Sequence, residues 1–257
     1  MKDQLNRNIN LIDAPQKIVS VVPSQTELLH DIGLDEEVIG ITKFCIHPHQ
    51  WYKNKERVGG TKKLNIEKIK SLNPTIIFAN KEENTKEDIE KLEKYFPVYI
   101  SDINTFDDVI KMIEDIGCIV QKNENAKRII LQLQIKKETF LLNDLSKKSV
   151  LYLIWQNPFM TIGTDTFIHE MLHIAGFQNA VTEKRYPILR EIEMKTLNPE
   201  IVFLSSEPYP FSEKHIVEFK RILPNAKIIL VDGELFSWYG SRLLQSFDYF
   251  SALHEKI

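Results

Sequence analysis

The chain has 257 residues, of which 43% are hydrophobic and 27% charged, a balance that can supply a buried core and excludes a disordered protein. Its 33 Lys and Arg residues against 36 Asp and Glu residues give a formal charge of −3, which argues against a nucleic-acid-binding protein. Apolar runs such as SVLYLIW are too short to cross a bilayer, and two cysteines do not make a disulfide framework.

The N-terminal stretch MKDQLNRNINLIDAP lacks the apolar core of a secretory signal. We therefore expect a cytoplasmic protein if the chain as given is complete. If a leader was removed, we expect a periplasmic or membrane-anchored protein.

A strand–helix–strand pattern occurs twice along the chain. KIVSVV predicts the first strand, IEKIKSLNPTIIF over 66–78 a helix and a strand, and 84–95 with PVYISD a further helix and strand. The second half repeats this order with SVLYLIW, IEMKTLNPEIVF over 192–203, a helix over 212–223, and KIILVD. In both copies Leu-Asn-Pro stops the helix, and the proline favours extended geometry for the asparagine before it. The pattern predicts an α/β fold with internal duplication and one parallel sheet in each half.

A long helix is predicted between the halves, because residues 118–157 contain neither glycine nor proline. Apolar residues recur there at helical spacing, and about 25 helical residues would make a rod of roughly 40 Å. We predict a lobe over 1–118, a bridging helix over 119–146 and a second lobe over 147–257, with the chain passing between them once. Lobes joined in this way leave a cleft, and clefts at domain interfaces bind ligands.

Four segments, in this order, are similar to those of a known family: APQKIVSVVPSQTELLHDIGL, LNIEKIKSLNP, NPFMTIGTDTFIHEMLHIAGFQNA and EMKTLNPEIVFL. Together they resemble the helical-backbone substrate-binding proteins of ABC importers, the receptors for cobalamin, ferric siderophores and haem. The resemblance implies two Rossmann-like lobes with parallel sheets joined by one long backbone helix. It implies a binding protein and not an enzyme, with no intrinsic cofactor. We expect a monomer that binds a small-molecule ligand and no nucleic acid, and the resemblance implies an ABC permease dimer as a further partner.

The resemblance also implies ligand-lining side chains. Phe44, Phe159 and Tyr186 fall on aromatic positions of the family, and aromatic rings suit a large flat ligand because each buries much apolar area. Glu234 falls on an acidic position in the loop after the last strand. That loop adds two aromatic candidates, Phe236 and Trp238.

At the expected ligand site, polar and basic residues distinguish this chain from the family pattern. Two tryptophan positions of the family are occupied here by Thr61 and Asn80. Cationic side chains surround the expected cleft mouth and would suit a ligand with carboxylates or phosphate. These cationic residues are Arg57, Lys62, Lys63, Lys81 and Arg185. The expected ligand is a metal chelate, namely a corrinoid, a ferric siderophore or haem.

Permease docking in the family uses one glutamate at the start of a helix in each lobe. The matching residue in the first lobe is Glu67. In the second lobe Ile192 occupies the aligned position, and Glu193 is the nearest substitute. A first-turn glutamate stabilised by the helix dipole explains Glu67 equally well.

Two other patterns permit metal chemistry. Cys45 and His47 are alternate residues after a strand and could contribute two ligands to a zinc, copper or haem-iron site. HEMLH, from His169 to His173, matches the zinc metallopeptidase motif in which two histidines bind zinc and Glu170 activates a water. The zinc peptidase is therefore an alternative function. A further alternative is an intracellular carrier or sensor of a small ligand with the same fold.

Overall fold

The computed structural model describes residues 1–11, 13–143, 145 and 147–257. The chain divides into two units, which exchange short segments. Unit 1 consists of Met1–Ile103, Asp107–Gln134 and Tyr239–Leu243, and unit 2 of Asn104–Phe106, Ile135–Trp238 and Leu244–Ile257. In this division a short segment of each half groups with the other unit, and the single passage of the chain stays a prediction. The division into lobes at residues 118 and 147 stays a prediction.

Unit 1 contains a five-stranded parallel sheet with the order β3-β2-β1-β6-β7 and a separate antiparallel hairpin, β4-β5. The strands are β1 (Ile18–Ser20), β2 (Val38–Ile41), β3 (Glu56–Arg57), β4 (Gly59–Gly60), β5 (Lys63–Leu64), β6 (Ile76–Asn80) and β7 (Val98–Ser101). The helices are α1 (Pro23–Asp31), α2 (His49–Asn54), α3 (Ile66–Leu72), α4 (Lys86–Glu93) and α5 (Phe106–Ile119). Every residue of β1, β6 and β7 is buried, as expected for parallel strands covered on both faces.

Unit 2 contains a parallel sheet with the order β10-β8-β11-β12, and β9 pairs antiparallel with β8. The strands are β8 (Ser149–Trp155), β9 (Met160–Thr161), β10 (Gln178–Asn179), β11 (Ile201–Ser205) and β12 (Lys227–Val231). The helices that follow β9 are α7 (Phe167–Ile174), α8 (Glu191–Leu197), α9 (Glu213–Ile222), α10 (Glu234–Ser237) and α11 (Leu243–His254). The predicted α/β fold with parallel sheets in two lobes is confirmed.

The Leu-Asn-Pro repeat ends a helix in both units, but not with the predicted geometry. Asn73 follows α3 with φ 49° and ψ 60°, and Asn198 follows α8 with φ 44° and ψ 54°. The expectation of an extended asparagine is wrong, because both residues adopt the left-handed conformation that commonly ends helices. Asparagine tolerates this conformation better than most residues, and the following proline prevents continuation of the helix.

The long helix predicted between the halves is α6 (Asn123–Leu141), with 19 residues and a length of about 28 Å. It is shorter than the predicted 119–146, of which Asp144 and Ser146 lie outside the described residues. The helix begins late because α5 ends at Ile119 and Gln121 adopts a positive φ of 56°. In the described part of the chain, no helix is both apolar enough and long enough to cross a bilayer.

Candidate functional site

Several predicted ligand residues follow the carboxyl ends of parallel strands. Phe44 lies three residues after β2, Asn80 ends β6, and Glu234 lies three residues after β12. In open α/β sheets this edge is where ligands bind. The burial and contacts of each side chain then decide which of these residues a ligand can reach.

Unit 1 has an open depression of about 680 Å³ beside the β4-β5 hairpin. The Phe44 side chain is 50% exposed there, and the Lys43 ammonium lies 5.0 Å from the centroid of its ring. The depression brings together predicted ligand residues Phe44 and Lys62 and the predicted docking residue Glu67. Its lining residues are Lys43, Phe44, Gly59, Gly60, Lys62, Lys63, Leu64, Asn65, Ile66 and Glu67.

Two glycines shape the hairpin beside Phe44. Gly59 has φ +105°, and a Cβ there would lie 2.6 Å from the Lys63 carbonyl oxygen, so only glycine fits. A Cβ on Gly60 would lie 3.1 Å from Phe44 Cε2, so the missing side chain lets the ring approach the hairpin. The Lys43 N–H donates to the Gly59 carbonyl at 2.8 Å, which ties the loop that carries Phe44 to the hairpin.

The Asn80 side chain is buried, and its hydrogen bonds stabilise the fold. Its side chain is only 3% exposed, and Oδ1 accepts hydrogen bonds from the backbone N–H groups of Glu82 and Glu83 at 2.8 and 3.0 Å. Its Nδ2 donates to Ser101 Oγ at 2.9 Å. Asn80 is therefore a buried turn residue, which corrects the prediction that it contacts the ligand. Thr61 is also largely buried, with 9% of its surface exposed.

In unit 2, three predicted ligand residues remain partly accessible. Phe159 is half-buried, with its ring centroid 5.4 Å from that of Phe219. Tyr186 is half-buried, and the Arg185 guanidinium lies 5.3 Å from its ring centroid. Glu234 is half-buried at the start of α10.

The two aromatic candidates after β12 belong to the interior. Phe236 is fully buried, and its ring contacts rings from three other elements. These rings are Tyr152 at 5.3 Å, Phe203 at 5.9 Å and Phe250 at 4.8 Å. Trp238 is 8% exposed, and its Nε1 donates to Glu207 Oε1 at 3.0 Å. Core packing occupies Phe236, which corrects the prediction that its ring lines the ligand, whereas ligand contact by Trp238 stays a prediction.

Sequence reasoning missed an aromatic pair at the end of β8. Trp155, the last residue of the strand, is 40% exposed, and its ring lies 5.6 Å from Tyr209 in an edge-on arrangement. Trp155 Nε1 donates to the Asn157 carbonyl at 3.1 Å. Its position as the final residue of the run SVLYLIW was the available signal, since strand ends face ligands in parallel sheets.

A directional hydrogen-bond chain fixes Tyr209. The Ser212 N–H donates to His215 Nδ1 at 2.9 Å, which places the ring proton on Nε2. That nitrogen lies 3.2 Å from the Tyr209 hydroxyl, which itself donates to Gln156 Oε1. Gln156 Nε2 then donates to Glu218 Oε2 at 2.7 Å. The chain orients the ring that packs against Trp155.

The Cys45 thiol is unsuited to hold a metal. It is completely buried, and its sulfur lies 3.1 Å from both the Thr26 and the Thr42 hydroxyl oxygens. Burial raises the pKa of the Cys45 thiol, which disfavours the thiolate that metals require. Among the described residues, no group of three or more His, Cys, Asp and Glu side chains is placed to hold a metal, so Cys45 and His47 form no such site.

The HEMLH motif lies on α7, and its first histidine has the wrong tautomer for zinc. Asn179 Oδ1 accepts from the Val181 N–H at 3.1 Å, so its Nδ2 faces His169 Nδ1 at 3.2 Å and donates to it. Neutral His169 therefore carries its proton on Nε2, whereas a metal-bound histidine donates from its other ring nitrogen. Burial lowers the pKa of His169, and His173 one turn away lowers it further. The pair is a helix-surface feature with a ring separation of 5.5 Å.

The two predicted docking glutamates differ in their surroundings. The Glu67 side chain is 82% exposed and pairs with Lys70 at 3.2 Å. Glu193 instead caps its own helix: Oε2 accepts from the Arg190 N–H at 2.7 Å, and Oε1 pairs with the Arg190 guanidinium at 2.7 Å. The aligned position is held by Ile192, which is 61% exposed. The use of Glu193 in docking stays a prediction.

Known proteins share this sequence pattern and fold. An uncharacterized ABC transporter substrate-binding lipoprotein of Bacillus subtilis, YvrC, is 26% identical over 95% of this chain and 81% of its own length. The vitamin B12-binding protein of Vibrio campbellii is 26% identical over 74% of this chain and 70% of its own. The crystal structure of a periplasmic heme-binding protein from Pseudomonas aeruginosa has the same fold, with a TM-score of 0.79. It is 19% identical, and the match covers 93% of this chain and 92% of that one.

The family model described as periplasmic binding protein matches residues 18–220, well over half of the chain. The family model describes a periplasmic binding protein and the Bacillus subtilis relative is named as an ABC transporter substrate-binding protein, which confirms the prediction of a binding protein and leaves the zinc peptidase without support. The order of motifs predicted this outcome, and the chain belongs to the periplasmic binding protein family.

Proposed function

We propose that this chain is the substrate-binding component of an ABC importer and that its ligand is a metal chelate of the corrinoid, haem or ferric siderophore class. The observation that carries the proposal is the half-exposed aromatic ring in the loop after a parallel strand, in a chain of this family. That ring is Phe44, which sits on a depression shaped by two glycines. In unit 2, Trp155 is exposed, and Phe159 and Tyr186 are partly accessible.

Similar proteins support this ligand class. The relative from Vibrio campbellii is a vitamin B12-binding protein, and the structure from Pseudomonas aeruginosa is that of a periplasmic heme-binding protein. Corrinoids and haem are both flat macrocycles, and an aromatic ring offers such a ligand a large apolar surface at low entropic cost. One similar protein is a lipoprotein and another is periplasmic. Both support action outside the cytoplasm, in anchored or free form.

Tryptophan fluorescence tests the proposal. The chain has three tryptophans, of which Trp51 is 1% exposed, Trp238 8% and Trp155 40%. Titration with cyanocobalamin, ferric protoporphyrin IX and a ferric hydroxamate chelate should give saturable quenching by at least one of them at micromolar concentration. Trp155, the accessible indole, should contribute to that quenching, so Trp155→Phe should reduce it.

The control is an exposed aromatic elsewhere. Tyr95 is 58% exposed beside α4, and Tyr95→Phe should leave the quenching unchanged. If none of the three chelates changes the fluorescence or raises the melting temperature, the proposed ligand class is wrong.

A further inference from the structure

We infer that the depression in unit 1 binds the carboxylate edge of a flat anionic chelate, so that this protein prefers acidic chelates to neutral ones. The inference deepens the proposed function and rests on it. It is carried by the charged side chains and the Phe44 ring that line this depression. Its lining residues, given above, are Lys43, Phe44, Gly59, Gly60 and Lys62–Glu67.

Three lysines line this depression without a compensating acid. The Lys43 ammonium lies 5.0 Å from the Phe44 ring centroid, and Lys62 Nζ donates to a backbone carbonyl, that of Glu82. Lys63 lies on β5 and is exposed. Across the described residues, none of these three lysines has a carboxylate within ion-pair distance. The one acid in the lining, Glu67, pairs with Lys70 at 3.2 Å.

Three other cations of the same unit have partners of their own. Lys81 pairs with Asp102 at 2.6 Å, and Lys68 with Glu56 at 2.9 Å. The Arg57 guanidinium lies over the Tyr52 ring at 4.5 Å. These three cations are therefore less available to a ligand than the lysines of the depression.

The three lysines and the Phe44 ring together favour a flat ligand with ionised groups at its edge. A flat ring system can stack on Phe44, whose exposed face is apolar, while ionised groups at its edge meet the ammonium groups. The backbone there is fixed: Asn65 N–H donates to Val58 O at 2.8 Å and Leu64 N–H to Asp88 Oδ2 at 3.0 Å. A preorganised hairpin lowers the entropic cost of binding.

A matched pair of macrocycles tests the inference on the full-length chain. Ferric protoporphyrin IX carries two propionates, and its dimethyl ester has the same metal and ring without those charges. We expect the diacid to bind about tenfold more tightly than the ester, since an exposed charge pair changes an equilibrium constant by up to about fivefold. The preference should shrink as salt is raised, because exposed charges are screened.

Lysine variants locate the effect. Lys62→Gln with Lys63→Gln should weaken diacid binding about tenfold and leave the ester unchanged. The control is Lys86→Gln with Lys91→Gln, which removes two charges from α4, where each lysine pairs with an acid of the same helix. Equal affinity for diacid and ester overturns the inference, and so does a diacid preference that survives in the Lys62 and Lys63 variant.

A metal-free probe separates this inference from the proposed function. Phthalate is an aromatic dicarboxylate without a metal, and its binding can be followed by the amide NMR signals of Gly59 and Gly60. If no chelate binds but phthalate shifts these signals and the double variant abolishes the shift, the anionic site stands and the chelate function falls. If phthalate has no effect and neither macrocycle binds, both fall.

Discussion

Glu207 shows how burial changes the chemistry of a single side chain. It follows β11, and its Oε1 accepts hydrogen bonds from Ser237 Oγ at 2.8 Å and Trp238 Nε1 at 3.0 Å. Burial raises the pKa of the Glu207 carboxyl above its ordinary value of 4.5, and the nearby acids Glu234 and Asp232 raise it further, against the two donors. The ionised form is therefore disfavoured in the folded protein.

We expect Glu207→Gln to stabilise the protein above the folded pKa of Glu207 and not at acidic pH below its ordinary pKa. With the folded pKa raised, the stability from this group is fully present below about pH 4.5 and is lost as the pH rises through the folded pKa. A glutamine amide oxygen can accept both existing hydrogen bonds without the charge. The melting temperature at pH 8 should rise by roughly 3 °C, and the gain should vanish near pH 4.

The control for Glu207 is Glu213→Gln on the exposed first turn of α9, for which we expect no comparable pH-dependent gain. A gain at Glu207 that is equal at pH 4 and pH 8 would contradict the electrostatic explanation. Differential scanning fluorimetry over this pH range measures both variants.

Residue types at the site could be predicted from the sequence, whereas their burial could not. Phe44 and Phe236 were both expected to line the ligand, and only Phe44 is exposed. Phe236 is buried because rings from β8, β11 and α11 converge on it, and such contacts join positions far apart in the chain. No local pattern reveals them. Trp155 is different, because its position at the end of the run SVLYLIW was a local signal and only its exposure depends on the fold.

At the scale of elements, the Leu-Asn-Pro repeat sets two helix ends in the same way. Asn73 N–H donates to Lys70 O, and Asn198 N–H donates to Met194 O, so each asparagine closes its helix. Both residues have φ between 44° and 49°, where most L-residues are strained. The repeated element therefore depends on a residue that tolerates the left-handed region.

We expect Asn198→Ala to lower the free energy of unfolding by about 1 kcal/mol, because alanine is strained in the left-handed conformation. Asn198→Gly should cause no measurable change. The same pair of substitutions at Asn73 should give the same result. Urea unfolding followed by circular dichroism measures the difference.

The matched control is Asn54→Ala at the end of α2, where the asparagine is exposed and helical. It should change the stability little or raise it slightly, since alanine is the better helix former. Equal losses at Asn54 and Asn198 would contradict the conformational explanation.

Most elements could be predicted, because their hydrophobic patterns and stop signals are local. The break between α5 and α6 could not. Gly117 allows close packing there, since a Cβ would lie 2.4 Å from Ala126 Cβ, and Gln121 turns the chain with φ 56°. An uninterrupted run without glycine or proline after residue 117 gives no warning of a turn. The turn can be recognised only in the folded chain, where Gly117 lies against Ala126.

At the scale of the molecule, the repeat correctly predicts two sheets but not the exchange of short segments. Arg242 belongs to unit 1, where its Nε donates to Glu27 Oε2 at 2.8 Å in a largely buried ion pair. Asn104–Phe106 belongs to unit 2, where the Phe106 ring lies 6.4 Å from that of Phe247. Such long-range pairs are invisible to local pattern. The two units nevertheless keep the same helix start, at Ile66–Glu67 and Glu191–Ile192.

This equivalence leads to a prediction about permease docking. Glu67 is exposed at the second position of α3, and the equivalent residue of α8 is the exposed Ile192, while Arg190 engages Glu193. Ile192→Glu should therefore supply the missing carboxylate and strengthen binding to the purified ABC permease dimer several-fold. Glu67→Gln should weaken it by up to about fivefold, and both effects should diminish at high salt.

Val217→Glu is the matched control for Ile192→Glu. Val217 is 74% exposed on α9, so the substitution makes the same chemical change on a helix with no predicted docking residue. Surface plasmon resonance with the immobilised permease compares the variants at two ionic strengths. If Ile192→Glu and Val217→Glu behave alike, position 192 takes no part in docking, and an effect of Glu193→Gln on binding would then restore Glu193 as the second contact.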